Sequence, residues 1–187
     1  MKVIALFKEE THLIDSAAKN NRQAQQQLYD TYSGKMLSVC RMYVKDIHHA
    51  EEVMLNGFFK VFTHLNDFKG EGSFEGWIRR IMIRESISFL RSKKQLEFSE
   101  EVFEKNVMHS NNVVSQLEVD HIQQLIDALP EGYKVVFVMY AIEGYKHQEI
   151  ANMLNITEGT SKSQLFKARK ILKEKLELEN SAGYGIK

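Results

Sequence analysis

Apolar residues in this chain fall three and four apart over most of its length, with almost no proline to interrupt them. After Asp46 they occupy Ile47, Ala50, Val53, Met54, Phe58, Val61, Phe62 and Leu65. Before it, Leu28, Tyr32, Met36, Val39 and Tyr43 repeat the pattern. This is the period of an amphipathic α-helix, and no segment alternates apolar and polar residues long enough to predict a strand. The one proline, Pro130, leaves room for long helices on either side of it. An all-α fold follows.

Punctuation divides that fold. Asp46 is placed to cap the helix after it, and residues 21–44 read as the helix before it. The run 67–73, Asp-Phe-Lys-Gly-Glu-Gly-Ser, is a loop by composition. Ser73 caps a helix predicted to end near Lys93. Residues 95–115 lose the period and gain Glu, Asn and Ser. From residue 116 the period returns and runs to Pro130, which stops that helix. Further helices fit 131–142, 146–154 and 158–177. The expectation is two small helical domains joined by a flexible linker. Residues 1–20 form an N-terminal extension, 21–94 the first domain and 95–116 an acidic linker. Residues 117–178 form the second domain, and 179–187 a frayed tail.

With 43% apolar residues, each domain has material for a core. Cys40 stands alone, so it forms no internal disulfide, reads as a small buried apolar residue, and suits a reducing, cytoplasmic setting. No run of about 18 apolar residues exists, so no membrane insertion is expected. The opening MKVIALFKEETHL breaks too soon into charge for a signal peptide. No nucleophile elbow, phosphate-cradling glycine loop or Cys/His pairing is present, so neither an enzyme nor a cofactor is expected. His48, His49 and Glu52 diverge around a helix, which argues against a metal site.

Net charge is zero, but it is unevenly spread. Residues 79–94 hold six Lys/Arg against Glu85, a local +5. Residues 95–120 hold six acids against Lys105, a local −5, and residues 158–175 carry +4. Two basic segments around an acidic one predict two anion-binding surfaces. On a helix over 74–93, Trp77, Arg80, Arg84, Ser88 and Arg91 fall within a stripe of roughly 80°. Ile78, Met82 and Phe89 flank it on one side, Ile83, Ile87 and Leu90 on the other. Arginines suit phosphates and base edges, and an indole suits stacking on an unpaired base. Gly70 and Gly72 upstream allow close backbone approach. The alternative for this stripe is a solvated basic face with Trp77 in the core.

Residues 147–162 have the pattern of a helix-turn-helix. Ile150, Ala151 and Leu154 face inward on the first helix, Asn155-Ile156 turns, and Thr157 caps the second. On the second, Ser161, Leu165, Ala168 and Leu172 face in. Lys162, Ser163, Phe166, Lys167, Lys170 and Lys173 face out, as a helix in a DNA major groove requires.

These residues together resemble the sigma-70 family of RNA polymerase sigma factors, of the extracytoplasmic-function type. His49-Ala50-Glu51-Glu52, Phe58, Phe68-Lys69 and Phe74-Glu75-Gly76-Trp77-Ile78-Arg79-Arg80-Ile81 resemble region 2. Leu129-Pro130, Glu149-Ile150-Ala151 and the run from Gly159 to Arg169 resemble region 4. The resemblance implies a non-catalytic subunit that binds core RNA polymerase and promoter DNA. Glu51, Glu52 and Asn56 would dock on polymerase. Lys69, Ser73, Phe74, Trp77, Arg80, Arg84, Ser88 and Arg91 would read and melt the −10 element. Thr160, Lys162, Ser163, Phe166, Lys167 and Lys170 would read the −35 element. The family also suggests an anti-sigma factor as a partner. The chain departs from the pattern at Leu55-Asn56, where Gln-Glu is usual. It has Ser161 for the usual Val, with some loss of inward packing, and Gln164 for a usual Arg, with loss of a phosphate contact. The competing reading is a stand-alone helix-turn-helix regulator, in which the Trp77 stripe has no role.

Overall fold

A computed structural model describes residues 2–93 and 117–183. The expected linker, 95–116, lies outside the described residues. Among those described there are helices and turns and no strand. The chain divides into two compact units, Met1–Phe89 and Leu90–Lys187.

The first unit is a bundle of α1 (Lys2–Ala18), α2 (Arg22–Tyr43), α3 (Ile47–Thr63) and all but the last three residues of α4 (Phe74–Ser92), with a short 3-10 turn over Leu65–Asp67. The stretch left without a role in the sequence is structural. Helix α1 packs on α2 and α3 and buries Ile14 and Ala17. The Tyr32 hydroxyl donates to the Glu10 carboxylate, and the Gln25 side-chain amide donates to the Ala17 carbonyl at 3.1 Å. Burial, with Glu10 beside it, holds the Tyr32 phenol above its usual range.

Capping sets the helix ends. Asn21 accepts from the backbone N–H groups of Gln23 and Ala24, and Asp46 accepts from that of His49 at 2.9 Å. That backbone bond, with the neighbouring histidines, keeps the Asp46 carboxyl below the usual range. Leu28, Met36, Cys40, Tyr43, Phe58, Val61, Ile78, Met82 and Ile83 fill the centre. Burial raises the Cys40 thiol to about 12, which makes it inert packing. Ile47, included in the apolar phase of α3, is instead 43% exposed. Helix α4 comes close to α3 at Gly57, where a Cβ would lie 2.3 Å from the Met82 sulfur. Ion pairs Lys35–Glu75 and Lys60–Glu85, both 2.7 Å, tie α4 to α2 and α3 at the surface.

The second unit contains α5 (Leu117–Asp127), α6 (Glu131–Phe137), α7 (His147–Leu154) and α8 (Glu158–Gly183). Pro130 occupies the N-cap of α6. The predicted helix 131–142 changes hand-over of its hydrogen bonds midway. From Val138 to Ile142 it is a π-turn, closed by the Glu143 N–H to the Val138 carbonyl at 3.0 Å. Gly144, at φ +76°, then reverses the chain into α7. Leu129, Tyr133 and Ala168 form a buried cluster against which Phe137, Ile171 and Leu172 pack. The tail is a correction: α8 continues through residues 179–183, because nothing before Gly183 interrupts it, and Glu179 pairs with His121 at 3.1 Å.

Candidate nucleic-acid interface

In the first unit, Phe68 to Ser73 lead into α4. Gly70 (φ +73°) and Gly72 (φ +94°) take left-handed backbone that a side chain would strain. Ser73 then accepts from the Gly76 N–H at 3.1 Å and starts the helix. Arg80, Arg84, Ser88 and Arg91 are exposed, as are Lys69 and Ser73. Trp77 is half-buried at the head of this stripe. It is held by Phe68 at 5.6 Å and by Phe74 at 5.7 Å, nearly parallel to the latter at 19°. The indole is therefore neither core nor free: two rings fix its orientation and part of its surface stays open.

Phe74 is a correction. It was expected among the DNA-facing residues, but it is 1% exposed. Its ring meets Tyr32 at 5.7 Å and Phe68 at 5.1 Å, both edge-on. It supports Trp77 and touches no solvent that a strand could replace. Phe68, quoted only as part of a motif, proves to be the second support.

On α3, Glu51, Glu52 and Asn56 are exposed together. Sequence reasoning missed the apolar residues beside them. Leu55 is 53% and Phe59 70% exposed, while the motif's Phe58 is buried. The spacing 47, 51, 55, 59 gave the signal, since fourth-position neighbours share a helix face.

In the second unit the helix-turn-helix forms as expected. Asn155 adopts the left-handed conformation at φ 56°, ψ 48° and ends α7. Thr157 accepts from the Thr160 N–H at 3.0 Å. Thr157→Ala should lower the stability of this unit by about 1 kcal/mol. Its thermal midpoint, followed by circular dichroism, should then fall by about 4–8 °C.

Lys162, Phe166, Lys170 and Lys173 are exposed, and Phe166 is 70% open. A large apolar ring that open among cations is a contact surface rather than packing. Lys162 pairs with Glu158 at 2.7 Å, which keeps the Glu158 carboxyl below its usual range. Thr160 and Ser163 are half-buried, and the Ser163 hydroxyl donates to the Thr160 carbonyl. Lys167 is half-buried too, its Nζ 6.0 Å from the centre of the Tyr133 ring. Gln164 is a further correction. It is 1% exposed, so it faces the interior, and its departure from Arg removes no phosphate contact from the open face. Ser161 is fully buried, but not merely an underfilled valine site: its Oγ lies 2.9 Å from Nδ1 of His147.

A helix-turn-helix with an open cationic face, and a separate bundle whose basic stripe carries an indole, define a DNA-binding protein. Comparison with known proteins makes the class specific. Residues 28–95 match the family model "Sigma-70 region 2", and residues 120–172 match "Sigma-70, region 4". The ECF RNA polymerase sigma factor SigW of Bacillus subtilis is 26% identical over 176 residues, which cover 87% of this chain and 94% of SigW. The RNA polymerase sigma-H factor of Pseudomonas aeruginosa is 23% identical, covering 90% and 94%. Among solved structures, CnrH in complex with the cytosolic domain of CnrY aligns with TM-score 0.51 and 20% identity, over 89% of this chain and 96% of CnrH. RpoE in complex with the anti-sigma factor NepR, from Bartonella quintana, aligns with TM-score 0.54 and 18% identity, over 81% and 96%. These two show the shared fold. The chain belongs to the sigma-70 family, in its extracytoplasmic-function group, and is a sigma factor directing transcription initiation.

Proposed function

We propose that this sigma factor docks through α3 on core RNA polymerase, melts the −10 element with α4 and reads the −35 element with α8. It acts as a non-catalytic subunit in the cytoplasm. The observation that carries the reading is the pairing of two open cationic faces on separate units, one of them bearing the half-open Trp77. Glu51, Glu52 and Asn56 contact polymerase, with Leu55, in the Leu55-Asn56 pair that stands where the family usually has Gln-Glu, and Phe59 one turn on adding apolar area. Lys69, Ser73, Trp77, Arg80, Arg84, Ser88 and Arg91 face the −10 strands. Phe166, with Thr160 and Ser163 nearby, faces base edges in the −35 groove, while Lys162, Lys167 and Lys170 face phosphates. Residues 21–94 and 117–178 serve as the two working domains, and 95–116 as the acidic connection between them. The solved likeness of a sigma factor with NepR supports an anti-sigma factor as a further partner.

Run-off transcription with core polymerase from the source organism tests this reading. Promoter-specific transcripts are expected, together with co-elution of the chain and core polymerase. Absence of both would leave the stand-alone regulator, which binds duplex tightly with no polymerase present. Lys170, exposed beside Glu174 at 3.9 Å, gives a sharper check. Lys170→Ala should weaken duplex binding on every −35 sequence alike. It should also reduce the slope of log affinity against log salt by about 0.9. A sequence-dependent loss with an unchanged slope would show a base contact instead.

A further inference from the structure

A chain of side chains in the first unit runs from α1 to the half-open indole. Tyr32 on α2 is 7% exposed, and its ring meets the Phe74 ring edge-on, with centres 5.7 Å apart and planes at 72°. Phe74 in turn lies nearly parallel to Trp77 at 5.7 Å. Phe68 touches both, at 5.1 Å and 5.6 Å. The far end of the Tyr32 ring is tied as well: its hydroxyl donates to the half-buried Glu10 carboxylate of α1. A hydrogen bond to an ionised acceptor is stronger than one between neutral groups. Helix α1 is itself fixed to α2 by buried Ile14 and Ala17 and by the Gln25 amide on the Ala17 carbonyl at 3.1 Å.

We propose that Tyr32 and Glu10 are positioning residues for base capture at Trp77: the Tyr32 ring braces Phe74, on which the indole stacks, and the bond to Glu10 anchors that brace to α1. This rests on the −10 role given to Trp77 above.

Two other groups hold the start of α4, and neither is as firm. Phe68 belongs to the stretch that enters α4, close to two glycines in left-handed backbone, whereas Tyr32 sits in the middle of a 22-residue helix. A support built on a helix is more exact than one built on a loop. The Lys35–Glu75 pair, one turn further along α2, also ties α4 to α2 at 2.7 Å. Its side chains are 63% and 37% exposed, so solvent screens the pair and it contributes little. The buried ring contact therefore decides where Phe74 stands. An edge-on contact depends on the tilt of both rings, and the Glu10 bond fixes the tilt of Tyr32. Base capture is sensitive to that tilt. The indole must already present its open side when a base leaves the stack, and small displacements of a positioned group are amplified in the rate.

The experiment follows promoter opening by the reconstituted holoenzyme, read by permanganate reactivity of −10 thymines, at a temperature where urea titration shows each variant folded. Tyr32→Phe removes only the hydroxyl and should slow opening about fivefold, with closed-complex binding within about twofold of wild type. Glu10→Ala should give the same loss, and Y32F/E10A no further loss, because each removes the same bond. Glu10→Gln keeps an acceptor oxygen and should bring opening back to within about twofold of wild type. A second readout uses the free chain, whose single tryptophan is Trp77. The tryptophan edge of its near-ultraviolet circular dichroism, where tyrosine does not contribute, reports how firmly the indole is held. That band should lose intensity in Tyr32→Phe and Glu10→Ala and keep it in Glu10→Gln. A bond that served stability alone would lower the urea midpoint and leave both the opening rate and the band of the folded variants unchanged, and that result would overturn the proposal. A loss in one readout without the other, or in Tyr32→Phe without Glu10→Ala, would equally overturn it. If the −10 role itself were wrong, Trp77→Ala would leave opening unchanged, whereas the band would still report the brace.

Discussion

Phe74→Ala is expected to destabilise the first unit by about 3–5 kcal/mol, the cost of removing a fully buried aromatic ring. The ring is 1% exposed and meets Tyr32, Phe68 and Trp77. Truncation leaves a cavity bounded by α2, the loop before α4 and α4 itself. Small domains hold only about 5–15 kcal/mol in all, so the loss is a large share. In thermal terms it is a fall of about 12 °C or more. The chain has one tryptophan, so Trp77 emission reports unfolding of this unit alone. Its urea midpoint should drop sharply for Phe74→Ala. Phe74→Leu, which refills most of the volume, should cost about 1.5 kcal/mol or less. A DNA contact would behave otherwise. Both variants would then impair promoter opening alike, while the urea midpoint stayed where it is. That pattern would return Phe74 to the −10 surface and remove it from the core.

Why Phe74 was misread shows where the sequence stops. On the helical wheel it falls roughly 40° outside the stripe of Trp77, Arg80, Arg84, Ser88 and Arg91, at the border between open and packed faces. At a border, the decision belongs to residues far along the chain. Here it is Tyr32, on α2, whose ring closes over Phe74. Gln164 failed for the same reason. Its amide suggests solvent, and its phase falls roughly 40° beyond Ala168, at the border of the buried face formed by Ser161, Leu165 and Ala168. Features set by short-range chemistry were legible. The caps at Asp46, Ser73 and Thr157 and the turn at Asn155 all lie within four residues of their partners. The π-turn at Val138–Ile142 was not legible, because its apolar residues fit an ordinary helix equally well. The role of α1 was hidden too. It rests on a tyrosine–carboxylate contact across 22 residues, and no spacing rule reaches that far.

Trp77→Ala is expected to slow promoter opening by about 10- to 100-fold, because stacking of one base on an aromatic ring is worth about 1–3 kcal/mol. The closed complex should change by no more than about twofold, since an intact duplex keeps its bases stacked on one another and offers the indole none. The geometry favours this split. Phe68 and Phe74 hold the indole in place before any strand arrives, so little ordering is required when a base is extruded. The exposed Arg80, Arg84 and Arg91 along the same stripe attract the backbone in either state. Permanganate reactivity of −10 thymines measures opening, and a gel-shift assay with heparin omitted measures the closed complex. Trp77→Phe, which keeps a flat ring of smaller area, should recover most of the opening rate. Truncation also removes a neighbour of Phe74, so the urea midpoint of each variant is needed to separate lost stacking from lost structure. Equal losses in opening and in closed-complex binding, at an unchanged midpoint, would mean that the indole touches duplex DNA and captures no base.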